Sequence, residues 1–540
     1  MRSVTNRPAG RSAGDVSRRD FLRIAAGAGA LATTGGLLAA CGSSSSGTTT
    51  TTTTTTTPSG RAQRGGDFRV GLIGGGPSDT LDGNNWLTMP DYARVFSLYD
   101  PLVIADVQNQ PTLWLAEEIS PEGSASSFII KLRQGIEFHN GKTLGAEDVL
   151  FTFQRILNPK KPLEGALILS PIDLSNSKVL DKYTLRVAMN KPFASFVEQL
   201  IQPFCSLILP VGWDPKNPVG TGPFKFQSFT PGQQSVMVRN DNYWRSPEPY
   251  FDSVTVIDFA DQTTVVNALL SGTIDATGQI PPALLSELKS NSSLATVVAR
   301  TGGFTPITMR VDQAPFNDVR VRHAMKLLVD RPKLVEAVYG GNGIAGNDVF
   351  GITDPDYDTS LVRAHDPERA KSLLKQAGHN DLTTQLVVGP IFLGMVEMAE
   401  VFAQQAMSAG VTVSVSNVPY STFYDSQYLQ RPFSMDFWFA NPYLAQAGNE
   451  TVTGAAYNET HFNDAHYNSL YVQANATLDS NLRKELIHEM QQIDFDQGGL
   501  IIPAFYDVVD AFTTRLHGYY PYEVGGPVSN VQFRQMWFSK

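Results

Sequence analysis

Ten consecutive threonines, Thr48 to Thr57, run into Pro58 directly after the Gly/Ser-rich stretch Gly42 to Gly47. Such a run carries little to bury and cannot offset the entropy of its own ordering. Whatever folds in this chain must fold downstream of it, and the segment reads as a flexible tether whose hydroxyls are open to glycosylation. It separates a short leader from a body of roughly 480 residues. That body is too long for one hydrophobic core, so two or three lobes are expected. With 42% hydrophobic and 17% charged residues, its composition is that of a folding, globular chain.

The leader has its own grammar. Ser17-Arg18-Arg19-Asp20-Phe21-Leu22-Arg23 precedes an apolar run from Ile24 to Ala40, interrupted by Gly27, Gly29, Gly35 and Gly36 and ending in Leu38-Ala39-Ala40-Cys41. Arginines, an apolar stretch and small residues before a cysteine read as a removable twin-arginine export signal ending in a lipobox, with Cys41 as the lipidation site. The run of 17 residues, rich in Gly and Ala, is short and weakly apolar for a membrane span. The expected product is exported and lipid-anchored at the outer face of the cell membrane, or in the periplasm. Six arginines against two aspartates leave with residues 1–40, so the remainder carries a formal charge of −14. Such a balance excludes nucleic acid as a partner, because phosphate contacts need Lys and Arg in excess. With Cys41 committed, Cys205 has no intramolecular disulfide partner and reads as a small buried apolar residue.

The body opens with Asp67 to Ile73, where Phe68, Val70 and Leu72 alternate as in a strand. Gly74-Gly75-Gly76 follows and reads as a tight loop at a cleft edge. A phosphate cradle would need a helix behind it, and Pro77-Ser78-Asp79 and Asp82-Gly83-Asn84 read as turns. Phe128 to Arg133 alternates as a strand that Ile136 to His139 continues, and Asn140-Gly141 is a turn. Val149, Leu150, Phe153, Ile156 and Leu157 fall at helical spacing, with Glu147 and Asp148 in the first turn. Gly220-Thr221-Gly222-Pro223 and Pro231-Gly232 bracket a hairpin strand. Asp330 and Asp366 read as N-caps with Pro332 and Pro367 behind them, and the helix Met395 to Ala409 ends at Gly410 before the alternating Val411, Val413 and Val415. Helix-then-strand units of this kind imply an α/β lobe.

Several blocks resemble a known family. They are Leu115-Ala116-Glu117, then Leu132 to Gly141, Ala146-Glu147-Asp148-Val149, Pro218 to Phe224, Arg239 to Trp244, Phe316 to Ala324 and Asp366 to Leu374. In this order they look like the signature of family 5 extracellular solute-binding proteins, the peptide- and nickel-type receptors of ABC importers. The resemblance implies an α/β, two-lobed periplasmic-binding-protein-like clam (type II, cluster C-like) with an enlarged first lobe. The implied layout is a signal over 1–40, a disordered tether over 41–63, lobe I over 64–301 plus 500–540 with an inserted subdomain over about 90–215, and lobe II over 302–499. Phe304 to Val311 and Leu500 to Tyr506 would be the crossing strands, with ligand held between the lobes by hinge closure.

Candidate ligand-binding residues are Asp79, Asn85 and Trp86 from the first lobe, Arg310 at the crossing, and Trp438, Asn441 and Tyr443 from the second. Peptide binders of the family carry a Gly-Trp pair and then an Asp for the ligand's α-ammonium. Here Ala440 takes the Trp position and Tyr443 the Asp position, so the motif has departed. Asp436 and Trp438 stand nearby and, on a strand, would share one face. The expected function is capture of a small organic solute, an oligopeptide or peptide-like molecule first, an oligosaccharide or nickel complex second, and its delivery to ABC permease subunits by a monomeric receptor. Catalytic motifs are mostly missing. Gly10 to Gly14 matches Gly-x-Ser-x-Gly inside the leader, and Ser175-x-x-Lys178 and Ser286-x-x-Lys289 have no partner motifs. No enzyme, cofactor or metal is therefore expected. His461 and His466 read as a solvated pair rather than ligands. The rival classes are an exported, lipid-anchored hydrolase and a surface adhesive or chaperone lipoprotein.

Overall fold

The computed structural model describes residues 61–540 apart from 87, 420–422 and 425–426. The export signal, Cys41 and most of the tether lie outside the described residues. The described residues belong to one compact unit, and none of its described helices is long and apolar enough to cross a membrane.

The architecture is mixed α/β, and three sheets organise it. A seven-stranded sheet runs Leu294–Ala299, Val508–Thr513, Ala276–Thr277, Asp67–Ile73, Ser253–Phe259, Gln234–Arg239, Phe224–Thr230. Its centre is the opening strand, buried at Phe68, Val70 and Leu72 and paired in parallel with Ser253–Phe259. A five-stranded sheet runs Thr412–Asn417, Thr383–Val388, Phe433–Met435, Ile307–Met309, Leu500–Ile501. A four-stranded antiparallel sheet, Ala116–Glu122, Ser127–Leu132, Thr184–Met189, Ile172–Asp181, packs on the helix Ala146–Ile156. Each sheet has its own apolar core: Phe68, Tyr99 and Phe251 beside the first, Met325, Leu386 and Phe402 beside the second, Phe128, Phe153 and Phe196 beside the third.

The chain passes between the first two sheets at residues 300–306 and again at 502–507. Neither passage is one continuous strand. Pro306 and Pro503 interrupt the ladders, since proline donates no backbone hydrogen bond. Ile307–Met309 and the pair Leu500–Ile501 and Ala504–Tyr506 remain as short strands, with Phe304 bridged to both Trp438 and Phe505. Ile136 to His139 also departs from the expected strand. Phe138 N donates to Lys142 O at 2.8 Å and Leu144 N to Ile136 O at 2.9 Å, so the segment closes on itself as a tight turn.

Other local readings hold in detail. The side chains of Asp330 and Asp366 accept from Lys333 N and Arg369 N at the starts of Arg331–Tyr339 and Pro367–Gln376. The helix Met395–Ala406 tightens into a 3₁₀ turn over Met407–Ala409, and Gly410 stops it at φ +81°. Cys205 is fully buried, and burial pushes its thiol well above its ordinary pKa.

Three of the motif stretches meet around one buried carboxylate. Asp100 accepts from Trp114 Nε1 (2.8 Å), Tyr243 Oη (2.9 Å), Thr221 Oγ1 (3.0 Å) and Trp244 Nε1 (3.1 Å). Burial raises its pKa, and the four donors work against that by favouring the charged form. His139 links the turn Pro218–Phe224 to this centre, its Nδ1 accepting from Gly220 N (3.2 Å) and its Nε2 donating to Gly222 O (3.0 Å). That pairing requires the neutral Nε2–H tautomer, and burial lowers the imidazole pKa to about 4. Gly220 and Gly222 are there for space: a Cβ would lie 1.9 Å and 2.7 Å from Leu98 O, at the end of the helix Met89–Leu98.

Candidate functional site

A cavity of about 310 Å³ lies where these parts converge. One wall comes from Trp86, the helix Met89–Leu98 through Met89, Tyr92 and Phe96, the short strand Val103–Ala105, and Gln202, Pro203 and Phe204. The opposite wall is Phe437 to Asn441 with Asn449 and Tyr457. Val524, Gly526 and Asn530 close it from the C-terminal segment.

The first wall is built from stacked rings. Trp86 lies 4.4 Å from Phe204 at 19°, and 5.0 Å from Tyr92, whose hydroxyl donates to Asn530 Oδ1 at 2.8 Å. The second is fixed by the passages between the sheets. Trp438 exchanges backbone hydrogen bonds with Phe304, and its carbonyl also accepts from Tyr506 Oη at 3.1 Å. Phe437 stacks on Phe392 at 4.8 Å, and Trp438 meets Tyr457 edge-on at 5.9 Å. The two walls touch. Gln202 donates to Asn441 Oδ1, and Asn109 Nδ2 donates to Ala440 O at 3.2 Å. Asn441 passes the link inward, donating to Gln446 Oε1 at 2.7 Å, and Gln446 donates to Glu450 at 2.7 Å.

Electrostatically the cavity is nearly bare. Among its described lining residues Glu164 is the one ionisable carboxylate, at the exposed rim 3.4 Å from Tyr457 Oη, and no lysine or arginine lines it. Behind the second wall sit Asp436, Glu450 and Glu459, all buried. Asp436 accepts from Tyr424 Oη (2.9 Å), Tyr428 Oη (2.8 Å) and Phe437 N (2.8 Å). Burial raises all three carboxyls, Glu450 to about 8, while the hydrogen bonds that Asp436 accepts work against its rise.

Of the sequence-derived candidates, the structure brings Trp86, Trp438 and Asn441 to the cavity. Asn85 points to solvent beside it. Asp79 is buried elsewhere, accepting from Arg94 (3.0 Å), Gly76 N (2.9 Å) and Gly232 N (3.1 Å), so it ties the glycine loop to the Pro231-Gly232 turn. Arg94 also pairs with Asp91 at 2.9 Å and with Asp258, so Asp79 is one of three carboxylates around a buried guanidinium. Arg310 is committed to Asp312 (2.7 Å) and Leu429 O (3.1 Å). Tyr443 is buried in the core with Phe350 and Tyr467, donating to Asp494 at 2.6 Å, so its ring packs away from the cavity. The strand Phe433–Met435 stops before Asp436, so Asp436 sits behind the wall while Trp438 lines it. Tyr92, Gln202, Phe204, Phe437 and Phe439 also line the cavity without having been singled out. The three consecutive aromatics Phe437, Trp438 and Phe439 were their one local signal; Gln202 and Phe204 arrive only through tertiary packing.

His461 Nε2 donates to Leu429 O (2.9 Å) and His466 Nε2 to Glu489 Oε1 (2.7 Å), so the two imidazoles serve separate partners. Among the described residues no group of three or more His, Cys, Asp or Glu side chains is arranged to hold a metal.

A family model for bacterial extracellular solute-binding proteins, family 5, matches residues 110–459. The heme-binding protein A of Haemophilus influenzae is 26% identical over 76% of this chain and 81% of its own length. The dipeptide-binding protein of Escherichia coli K12 is 25% identical over 78% and 86%. The glutathione-binding protein GsiB of Shigella flexneri is 25% identical over 57% of this chain, and the match spans 61% of that protein. Solved structures with the same fold include AgaA of A. tumefaciens R10 with agropinic acid (TM-score 0.76, 23% identity, 88% of this chain and 99% of that one). DppA of Helicobacter pylori with the peptide STSA gives a TM-score of 0.77 at 21% identity, covering 88% and 99%.

Proposed function

We propose a function from the following premise: the chain belongs to the bacterial extracellular solute-binding proteins of family 5, which bind small molecules or peptides outside the cytoplasm and work with ABC permeases. It captures a small organic solute, peptide-like in size, in the cavity between the two larger sheets and hands it to a permease. Trp86, Trp438 and Asn441 contact the solute, with Phe204, Phe437 and Phe439 completing an aromatic box. Capture proceeds by hinge motion at residues 300–306 and 502–507, with no covalent step. The export signal and Cys41 hold a monomeric receptor at the membrane through lipid, with the threonine tract as its tether.

The observation that carries this reading is the position of the cavity. Its second wall, Trp438, is hydrogen-bonded to Phe304 in the very segment that joins the two sheets. A solute touching both walls therefore stabilises the closed arrangement directly. Native mass spectrometry of the full chain, followed by thermal shift against peptides, sugars, opines, polyamines and nickel complexes, tests it. A ligand at a hundred times its Kd adds about 2.7 kcal/mol of stability. A retained small molecule, or a shift confined to one solute class, is the expected result; no retained mass and no shift with any class contradicts it.

A further inference from the structure

Resting on the receptor reading above, we infer that the cargo is an uncharged, largely apolar molecule bearing amide or hydroxyl groups, and not a zwitterionic peptide. The cavity's chemistry makes the selection. A free peptide brings an ammonium and a carboxylate, and each loses its hydration on entering a closed cleft. To accept them, a site must supply a counter-charge for both. No lysine or arginine lines this cavity among the described residues, so a ligand carboxylate meets no cation. The acidic side is equally poor. Glu164 stands at the exposed rim and shares its oxygen with Tyr457, and Asp436 is held by two tyrosine hydroxyls behind the wall. Tyr443, at the position where the sequence would carry an ammonium-binding carboxylate, is buried against Asp494.

What the cavity does supply is rings and neutral amides. Its aromatic surface suits an apolar body, and the side-chain amides of Asn109, Gln202 and Asn441 suit lactam or hydroxyl groups. Asn109 Oδ1, an acceptor on a side chain only 3% exposed, makes no hydrogen bond within the protein, which leaves one acceptor for a ligand N–H or O–H. At about 310 Å³ the space lies at the small end of ligand cavities, about the size of a cyclic dipeptide or a comparable aromatic amide.

The test compares three probes carrying the same two side chains by isothermal titration on the full chain in detergent: cyclo(Leu-Phe), zwitterionic Leu-Phe and cationic Leu-Phe amide. Cyclo(Leu-Phe) is expected to bind at least about a hundred-fold more tightly than Leu-Phe, since only the latter must desolvate unpaired charges. In F439D, which sets a carboxylate into the wall, Leu-Phe amide is expected to gain at least about ten-fold relative to cyclo(Leu-Phe). Leu-Phe binding as tightly as the cyclic form in the natural chain overturns the inference, even if F439D fails to fold. So does a folded F439D that leaves the preference unchanged. If neither dipeptide binds but glutathione, trialanine or nickel–histidine does, the inference falls and the receptor reading stands. If none of these binds, both fall.

Discussion

Asp79 and Trp438 were equal candidates as residues, and their surroundings separate them. Asp79 accepts three hydrogen bonds beside the seven-stranded sheet, one from a guanidinium that is wholly buried. Replacing it with Asn removes a charged acceptor from that set. The expected loss is about 1–3 kcal/mol in urea unfolding, with solute Kd unchanged by titration. Trp438→Ala removes a ring from the cavity wall and is expected to weaken solute binding at least about ten-fold while costing less stability than D79N. The sequence could not draw this distinction, because an Asp after a glycine loop looks the same whether it faces a solute or an arginine fifteen residues further on. Aromatic side chains were the better guide, since they mark large buried area wherever they fall.

Elements were more legible than sites. Caps at Asp330 and Asp366, the stop at Gly410 and the alternating opening strand all follow from local rules, and the structure forms them as read. The passages between the sheets were less legible because two prolines break their ladders while long-range partners, Trp438 among them, hold the pieces in line. The turn Pro218–Phe224 shows what the ordered motif blocks do. The blocks Leu132 to Gly141, Pro218 to Phe224 and Arg239 to Trp244 build a frame around Asp100 and His139 away from the cavity, while Phe316 to Ala324 and Asp366 to Leu374 pack beside the five-stranded sheet. A Cβ on Gly220 would collide with the backbone carbonyl of Leu98. Gly220→Ala is therefore expected to cost more than about 3 kcal/mol, or to prevent folding, because backbone at both sides must give. Gly76→Ala, whose Cβ would meet nothing within 4 Å, is the matched control and is expected to stay within about 1 kcal/mol in the same unfolding assay.

Across the whole molecule, burial has left several acids protonated in the folded chain. Burial raises Glu450 to about 8, and Asp494 and Asp510 to about 7 each. Unfolded carboxyls release their protons near pH 4. Between pH 5 and 7 the folded chain therefore binds more protons than the unfolded one, and stability falls as pH rises. His139, lowered to about 4, acts in the opposite sense over part of this window, as its unfolded form takes up a proton that the folded form refuses. Asp91, Asp258 and Asp507, each raised to about 6, add to the acids, and His323, also lowered, adds to the imidazoles; the acids outnumber them and give a higher Tm at pH 5 than at pH 7. Glu450→Gln is expected to flatten that slope without lowering stability at pH 7, which differential scanning calorimetry across the two pH values resolves.

The molecule's central property is a cavity whose walls come from opposite sides of a double crossing. Hydrogen–deuterium exchange of the full chain, with and without its bound solute, addresses this most directly. Solute is expected to protect both walls together, 86–109 and 201–204 on one side and 437–441 on the other, along with the crossing residues 300–306 and 502–507. Protection confined to one wall, or spread over the four-stranded sheet while the crossings stay unchanged, would contradict capture between the lobes.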